Sequence, residues 1–98
     1  MYTTDYEAVA ASQTAQILGP VGAVGNILKR LVISVGTAAT STVSIADGDG
    51  SAIVITAANT PIGVYTVDID ARCVNATTPG WKVTTGAGAT VLAMGRFT

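Results

Sequence analysis

The strongest signal of fold class in this chain is a seven-residue alternation, Tyr65-Thr66-Val67-Asp68-Ile69-Asp70-Ala71. Its apolar side chains occupy every second position, and the polar side chains lie between them. Successive side chains of a β-strand point to opposite faces, so this pattern predicts a strand with one packed face. The other face is predicted to be wet, or polar against a partner.

The same period of two recurs on both sides of this stretch. The other predicted strands are a run of about eight residues ending at Val35, then residues 42–46, 51–56, 81–84 and 90–97. Side chains predicted to point into a core from four of these strands are Leu31, Ile33, Val35, Val43, Ile45, Ile53, Ile55, Trp81 and Val83. The pattern therefore indicates a train of short strands without central helices.

The run Asp47-Gly48-Asp49-Gly50 joins two of these predicted strands. Asp-Gly pairs favour the positive φ angles of tight hairpin turns, so we expect a hairpin here. The run also resembles part of a calcium loop, which would need about six to eight oxygen ligands. Ser51 and Ala52 do not continue that pattern, so the turn is the preferred interpretation.

Six strands, or seven with a piece near Gln16, predict an all-β fold in one domain of 98 residues. We expect a single antiparallel β-sandwich or jelly-roll-like barrel of six to eight short strands with an N-terminal arm. The arm and a Gly-rich loop are assigned to residues 1–27, and the β-sandwich body to residues 28–98.

The first 27 residues do not follow the strand pattern. The Ala-rich stretch from Ala8 to Ala15 suits a short helix or an extended arm, and three glycines and a proline between Gly19 and Gly25 predict a loop. We expect this segment to order against a neighbouring subunit. Deletion of residues 1–15 is expected to leave a folded domain that binds its partner surface less well. The candidate interface residues are Ile17, Leu18, Pro20, Val21 and Val24.

The composition argues against catalysis and against nucleic-acid or metal binding. The chain has no histidine and one cysteine, Cys73, so neither a histidine-dependent triad nor a thiolate zinc site can form. Asp68 and Asp70 would project from one strand face with their Cα atoms about 7 Å apart, a spacing that also suits a glycosidase pair, but a solvated face is favoured. We expect no catalytic, cofactor-binding or metal-binding residue, no cofactor, and no enzyme activity.

Few of the remaining residues invite a ligand. Trp81 is interpreted as the largest core filler, with sugar stacking as the alternative, and Cys73 as a buried apolar residue. The basic residues are scattered and the net charge is −1, which argues against nucleic acid. No apolar stretch reaches the ~18–20 residues of a membrane helix.

The scarcity of charge is the feature that points to function. Charged residues make up 11% of the chain, against about 25% in average soluble domains. An apolar and sparsely charged surface is typical of a protein whose surface is partly covered by a partner. We therefore expect protein–protein contact to be the main activity.

Several phrases together resemble small structural proteins of tailed bacteriophages, the virion or head proteins: residues 16–33, residues 43–48, residues 81–88 and the ending Gly95-Arg96-Phe97. The resemblance implies a capsid decoration (cement) protein of the virion exterior, made in the host cytoplasm, that stabilises the head. It also implies binding to the major capsid protein and self-association, with a trimer favoured. It assigns no functional residues.

A second hypothesis is a receptor- or carbohydrate-binding module of a phage head or tail fibre. Such a module needs exposed aromatic side chains and polar loop clusters, and this chain has few of either. Capsid co-sedimentation and glycan binding discriminate between the two hypotheses.

Overall fold

The computed structural model describes residues 5–19, 25–37, 42–48, 50–75, 77 and 79–97. These residues form strands and connecting loops and contain no helix. The strands are β1 (Asp5–Val9), β2 (Gln16–Ile17), β3 (Ile27–Val35), β4 (Val43–Asp47), β5 (Ile53–Thr56), β6 (Gly63–Arg72), β7 (Trp81–Thr84) and β8 (Ala89–Arg96).

The strands form two four-stranded antiparallel sheets. The first sheet has the order β1-β8-β3-β6, and the second has the order β2-β7-β4-β5. The sheets pack face to face around one apolar core, so the predicted all-β sandwich is confirmed. The face of each sheet that points away from the other sheet is called its outer face.

The core lies between the two sheets and is built mainly from aliphatic side chains. Its buried apolar members are Val9, Leu18, Leu28, Leu31, Ile33, Val35, Val43, Ile45, Cys73, Trp81, Val83, Ala89, Val91, Ala93 and Phe97. Every inward-facing residue predicted for the strands at β3, β4 and β7 is in this set. The predicted core position of Trp81 is also confirmed, because the residue is only 5% exposed. Its indole Nε1 donates to the Ala71 carbonyl 3.2 Å away.

The prediction that Ile53 lies in the core is wrong, because 53% of this residue is exposed. Ile53 lies on β5, the outermost strand of the second sheet, where no further strand covers it. Between Val43 and Ser44 the β4–β5 register shifts, leaving Ile55 as an extra residue on β5. This bulge and the open edge explain why only Ile55 packs partly on the core.

The segment predicted as an N-terminal arm contributes two strands to the sandwich. β1 pairs with β8 in the first sheet, and β2 pairs with β7 in the second. Thr85 ties the connection between them, because its N–H donates to the Gln13 carbonyl and its hydroxyl to the Ala10 carbonyl. Residues 5–19 are therefore part of the sandwich, with no helix between Ala8 and Ala15.

The pairing of β3 with both of its neighbours, β8 and β6, is interrupted by a bulge near one end of the first sheet. Lys29 is an extra residue of β3 relative to β8, and Ile69 and Asp70 on β6 oppose Lys29 alone. Asp70 takes a positive φ of 53°, as expected of the αL residue in a bulge. The paired bulges keep Leu28 and Leu31 pointing inward although they are three positions apart.

Candidate interaction surface

The outer face of the first sheet carries three rows of side chains set by the strand register. The first row is Thr90, Ser34 and Val64, and the next runs across the sheet as Ala8, Leu92, Val32 and Thr66. The neighbouring row runs as Tyr6, Met94, Arg30 and Asp68. Apolar side chains thus occupy the β1, β8 and β3 positions of the Ala8 row and the β1 and β8 positions of the Tyr6 row, where Arg30 and Asp68 occupy the β3 and β6 positions.

The apolar part of this face is not covered by any other described element of the chain. Tyr6 is 74% exposed and Ala8 is exposed, whereas Leu92, Val32 and Met94 are half-buried by their neighbours. An open depression of about 410 Å³ lies over Ala8, Val32 and Leu92. Antiparallel sheets usually carry polar side chains on a solvated face, so this apolar centre suits a partner.

The outer face of the second sheet is different in chemistry. Its central rows pair Ser44 with Thr84 and Ala46 with Lys82. These side chains are small or polar, and Lys82 carries a charge that a dry interface would have to desolvate. The same rows end on the exposed side chains of Val54 and Ile17 at the edge strands β5 and β2, so the faces differ in that the first sheet has large apolar side chains on its interior strands as well.

A charged region borders the apolar rows at the bulged end of the first sheet. The Arg30 Nε donates to Asp68 Oδ1 over 2.7 Å, with half or more of each side chain exposed. An open depression of about 480 Å³ lies between Lys29, Arg30, Asp68, Asp70 and Met94. Exposed ion pairs contribute only about 0–1 kcal/mol to stability, so this region can orient a partner without being needed for folding.

The structure separates the residues predicted as an interface. Ile17 lies on the edge strand β2 of the second sheet and is 42% exposed. Leu18 is fully buried in the core, and its N–H donates to the Trp81 carbonyl. Pro20, Val21 and Val24 lie outside the described residues. Of the described pair, Ile17 alone presents a side chain to a partner.

The Asp47 carboxylate ties the end of β4 to the segment after β6. Asp47 Oδ1 accepts from the Cys73 thiol at 2.8 Å, and Oδ2 accepts from the Val74 N–H at 3.0 Å. Burial pulls the pKa of Asp47 upward, but the hydrogen bonds from Cys73, Val74 and Asn75 outweigh it and hold the pKa below its ordinary value. Both carboxylate oxygens thus face donors, an arrangement that favours the turn over a cation site.

Cys73 is fully buried beside this carboxylate, as predicted. Its sulfur accepts from the Gly80 N–H at 3.0 Å while its thiol donates to Asp47. Burial and the hydrogen bond to Asp47 raise the pKa of the Cys73 thiol. The thiol is therefore held protonated and shielded, so its role is structural.

The described residues contain no group of three or more His, Cys, Asp or Glu side chains that could hold a metal ion. Asp68 and Asp70 lie exposed on the outer side of β6, and Asp68 is engaged with Arg30. In the part of the chain that the structure describes, no helix is long and apolar enough to cross a membrane.

Sequence reasoning missed the outer face of the first sheet because its rows run across strands distant in the chain. Tyr6 and Met94 are separated by most of the sequence, yet the register places them opposite each other. The local signal that could have found Tyr6 is the short polar–apolar alternation from Asp5 to Ala8, which places Tyr6 and Ala8 on one face of a strand.

The chain matches no protein-family model, no curated protein and no solved structure.

Proposed function

We propose that this chain is a structural protein of a tailed-bacteriophage head, a decoration protein of the virion exterior that binds the major capsid protein and itself. The observation that carries the proposal is the uncovered apolar centre of the first sheet's outer face, with Tyr6 at its edge. Tyrosine and methionine are enriched at protein interfaces, and charged residues are depleted from interface centres. The resemblance of the sequence to phage structural proteins supplies the partner.

The size of this face supports binding to an array. Four strands spaced by about 4.8 Å span roughly 19 Å, and the rows from Val64–Ser34–Thr90 to Tyr6–Met94 cover roughly 20 Å along them. The resulting contact of roughly 400 Å² falls short of the ~800 Å² per partner of a standard interface. A lattice of identical capsid subunits offsets weak single contacts, because linked copies bind with a high effective concentration.

Co-sedimentation tests the proposal with heads assembled from the major capsid protein of the same genome. Tyr6→Lys changes an exposed residue on edge strand β1, and Ile17→Lys is its matched control on edge strand β2 of the other sheet. We expect Tyr6→Lys to weaken binding about tenfold or more, as for loss of an interface aromatic, and Ile17→Lys to bind like the wild type.

Absence of binding by the wild-type protein, together with specific binding to a glycan array, would overturn the proposal in favour of the fibre module. If only Ile17→Lys lost binding, the docking surface would be assigned to the second sheet instead of the first. The buried position of Trp81 favours the capsid hypothesis, because sugar stacking needs an exposed ring.

A further inference from the structure

We infer that the Asp47 carboxylate controls a local opening: when it is neutralised, the connection that follows β6 detaches from β4 while the two sheets stay folded. This connection, here called the β6–β7 connection, comprises the described residues 73–75, 77, 79 and 80. It carries the chain from the first sheet to the second. The movement takes place within one copy of the chain and is independent of the proposed partners.

Both ends of the β6–β7 connection are fixed to the sandwich. At one end the Cys73 N–H donates to the Asn26 carbonyl at 2.7 Å, and the Cys73 carbonyl accepts from the Gly25 N–H at 3.0 Å. At the other end the Gly80 carbonyl accepts from the Gly48 N–H at 2.8 Å. The Gly80 N–H donates to the Cys73 sulfur at 3.0 Å. None of these four bonds involves a carboxylate, so they persist when Asp47 is neutralised.

Between the two ends, hydrogen bonds from the connection converge on Asp47. The Val74 N–H donates to Oδ2 at 3.0 Å, and the Asn75 N–H donates to Oδ1 at 3.4 Å. The Cys73 thiol donates to the same Oδ1 at 2.8 Å. Three donors of the connection thus share one carboxylate, which belongs to β4 of the second sheet.

Little apolar surface holds the connection in place once these bonds are lost. Val74 is 66% exposed and Thr77 is exposed, while Asn75 and Pro79 are half-buried. The Thr77 N–H donates to Asn75 Oδ1, a bond within the connection that does not tie it to a sheet. Segments with few buried apolar contacts open at a lower free energy than the core does.

The sheets have a separate source of stability. β3 lies between β8 and β6, and its side chains Leu31, Ile33 and Val35 are buried in the core. Asp47 is the last residue of β4, and its strand pairing with Trp81 uses the backbone and not the carboxylate. Loss of the carboxylate's hydrogen bonds should therefore open the connection before it unfolds the sandwich.

Protonation of Asp47 releases the connection in the wild-type protein. Both carboxylate oxygens face donors, so an added proton displaces one of them. Burial raises the pKa of Asp47, but the hydrogen bonds from Cys73, Val74 and Asn75 outweigh burial and hold the pKa below its ordinary value. The connection is therefore held at neutral pH and is released as the pH falls through the folded-state pKa.

Asp47 is the group at this corner that titrates in acid. The Cys73 thiol faces it from the connection, and burial and the bond to Asp47 raise the pKa of that thiol, so it stays protonated. Lys82 of β7 lies on the other face of the second sheet and keeps its charge in acid. β5 has no charged residue. The charged residues of β6 are exposed on its outer side: Asp68, Asp70 and Arg72.

Chemical labelling of Cys73 tests the local opening. Cys73 is the single cysteine of the chain and is fully buried, with its sulfur between Asp47 and Gly80. A dipyridyl disulfide, usable at neutral and acid pH, forms a mixed disulfide with an accessible thiol and releases a thiopyridone. The labelling rate of the folded protein, divided by that of the urea-unfolded chain at the same pH, gives the accessible fraction of the thiol.

We expect the accessible fraction of the wild-type thiol to rise about tenfold to a hundredfold as the pH falls through the folded-state pKa of Asp47. Far-UV circular dichroism should stay unchanged over the same pH range. Asp47→Ala should already show the high fraction at neutral pH and should not respond to acid. Asp68→Ala is the matched control, because it removes an exposed carboxylate of β6, and it should follow the wild type.

Three results would overturn the inference. The first is a wild-type accessible fraction that does not rise in acid, or that rises with urea as steeply as global unfolding does. The second is an Asp47→Ala protein that keeps the wild-type response to pH. The third is an Asp47→Ala protein that does not fold, because the sheets would then depend on the carboxylate.

Discussion

The carboxylate of Glu7 accepts a hydrogen bond from the backbone N–H of Gly19, 2.8 Å away, and thereby joins the two sheets at one side of the sandwich. Glu7 lies on β1 of the first sheet, and Gly19 follows β2 of the second by two residues. The other carboxylate oxygen accepts from Gln16 Nε2. Because charge-assisted bonds of this kind are the stronger ones, Glu7 fixes the position of one sheet edge against the other.

Replacing Glu7 with Gln should lower the free energy of unfolding by about 1–3 kcal/mol. The amide nitrogen of a glutamine cannot accept, so either Gly19 or Gln16 loses its hydrogen bond to residue 7. Urea unfolding measures the change. Asp68→Asn is the control, because it removes a carboxylate from an exposed ion pair that contributes about 0–1 kcal/mol. Equal losses in both variants would contradict a special role for Glu7.

Deletion of residues 1–15 should abolish cooperative folding, contrary to the expectation from sequence. The deletion removes β1 and the buried Val9, leaving β8 paired with β3 alone. It also removes the acceptors of Thr85 at Ala10 and Gln13. Far-UV circular dichroism on heating gives the result, and a deleted chain with a sharp unfolding transition would show that β1 is dispensable.

Gly95→Ala should be among the most destabilising substitutions in the chain. A Cβ at Gly95 would overlap the carbonyl oxygen of Ile27 on the neighbouring strand β3, and backbone atoms cannot yield as a side chain does. The expected loss is about 3 kcal/mol, at the upper end for overpacking. Thermal unfolding of the purified variant measures it.

Gly36→Ala is the matched control for this prediction. The nearest atom to a Cβ at Gly36 is the Gly88 carbonyl oxygen at 3.9 Å, an ordinary contact. The variant should be as stable as the wild type to within about 0.5 kcal/mol, as for surface substitutions away from special features. A Gly95→Ala variant as stable as Gly36→Ala would contradict the close approach of β8 to β3 at Gly95.

The sequence predicts strands at the edges as well as in the interior of the sheets, as β6 shows, but it predicts full burial correctly only where a strand has neighbours on both edges. At Leu31, Ile33 and Val35 the alternation and the burial agree, because β8 and β6 flank β3 on either side. Ile53 has the same local pattern but lies on an edge strand with a bulge, so it stays exposed. Local periodicity reports which side chains share a face, whereas burial depends on the neighbours that a fold supplies.

The candidate surface depends still more on long-range order. Tyr6, Met94 and Arg30 come from three distant parts of the chain, and only the antiparallel register places them in one row. Ile17 and Leu18 are adjacent in sequence, yet one is exposed and the other buried, because successive residues of a strand point oppositely. Apolar composition alone could therefore not separate an interface residue from a core residue.

Thr56→Val should stabilise the protein. The Thr56 hydroxyl oxygen is buried and has no hydrogen-bond partner among the described residues, while its backbone lies opposite Val43 in the β4–β5 ladder. Valine has nearly the same shape and removes the unpaired polar atom, so we expect a gain of about 1 kcal/mol. Thermal unfolding should show a midpoint raised by roughly 4–8 °C.

Thr90→Val is the control for the stabilising substitution, because Thr90 is exposed and its hydroxyl can bind water. Its unfolding midpoint should stay close to that of the wild type. A Thr56→Val variant that is less stable than wild type would mean that the hydroxyl has a partner, such as an ordered water molecule.

Asp47 should make stability depend on pH in the acid range. Its folded-state pKa lies below the ordinary value of 3.8, so the folded state binds the carboxylate proton less tightly than the unfolded state. The stabilisation is therefore present above the ordinary pKa and is lost as the pH falls through the folded-state pKa. The loss should fall between about pH 5 and the lower pKa of the folded protein.

Asp47→Asn separates this contribution from that of the other carboxylates. At neutral pH the variant should be less stable than wild type by about 1–3 kcal/mol, because an amide accepts fewer of the hydrogen bonds from Cys73, Val74 and Asn75. On acidification the difference should shrink, since the wild-type carboxylate becomes protonated. Urea unfolding of both proteins across this pH range measures it, and a difference that stays constant or widens toward low pH would contradict the assigned role of the Asp47 carboxylate.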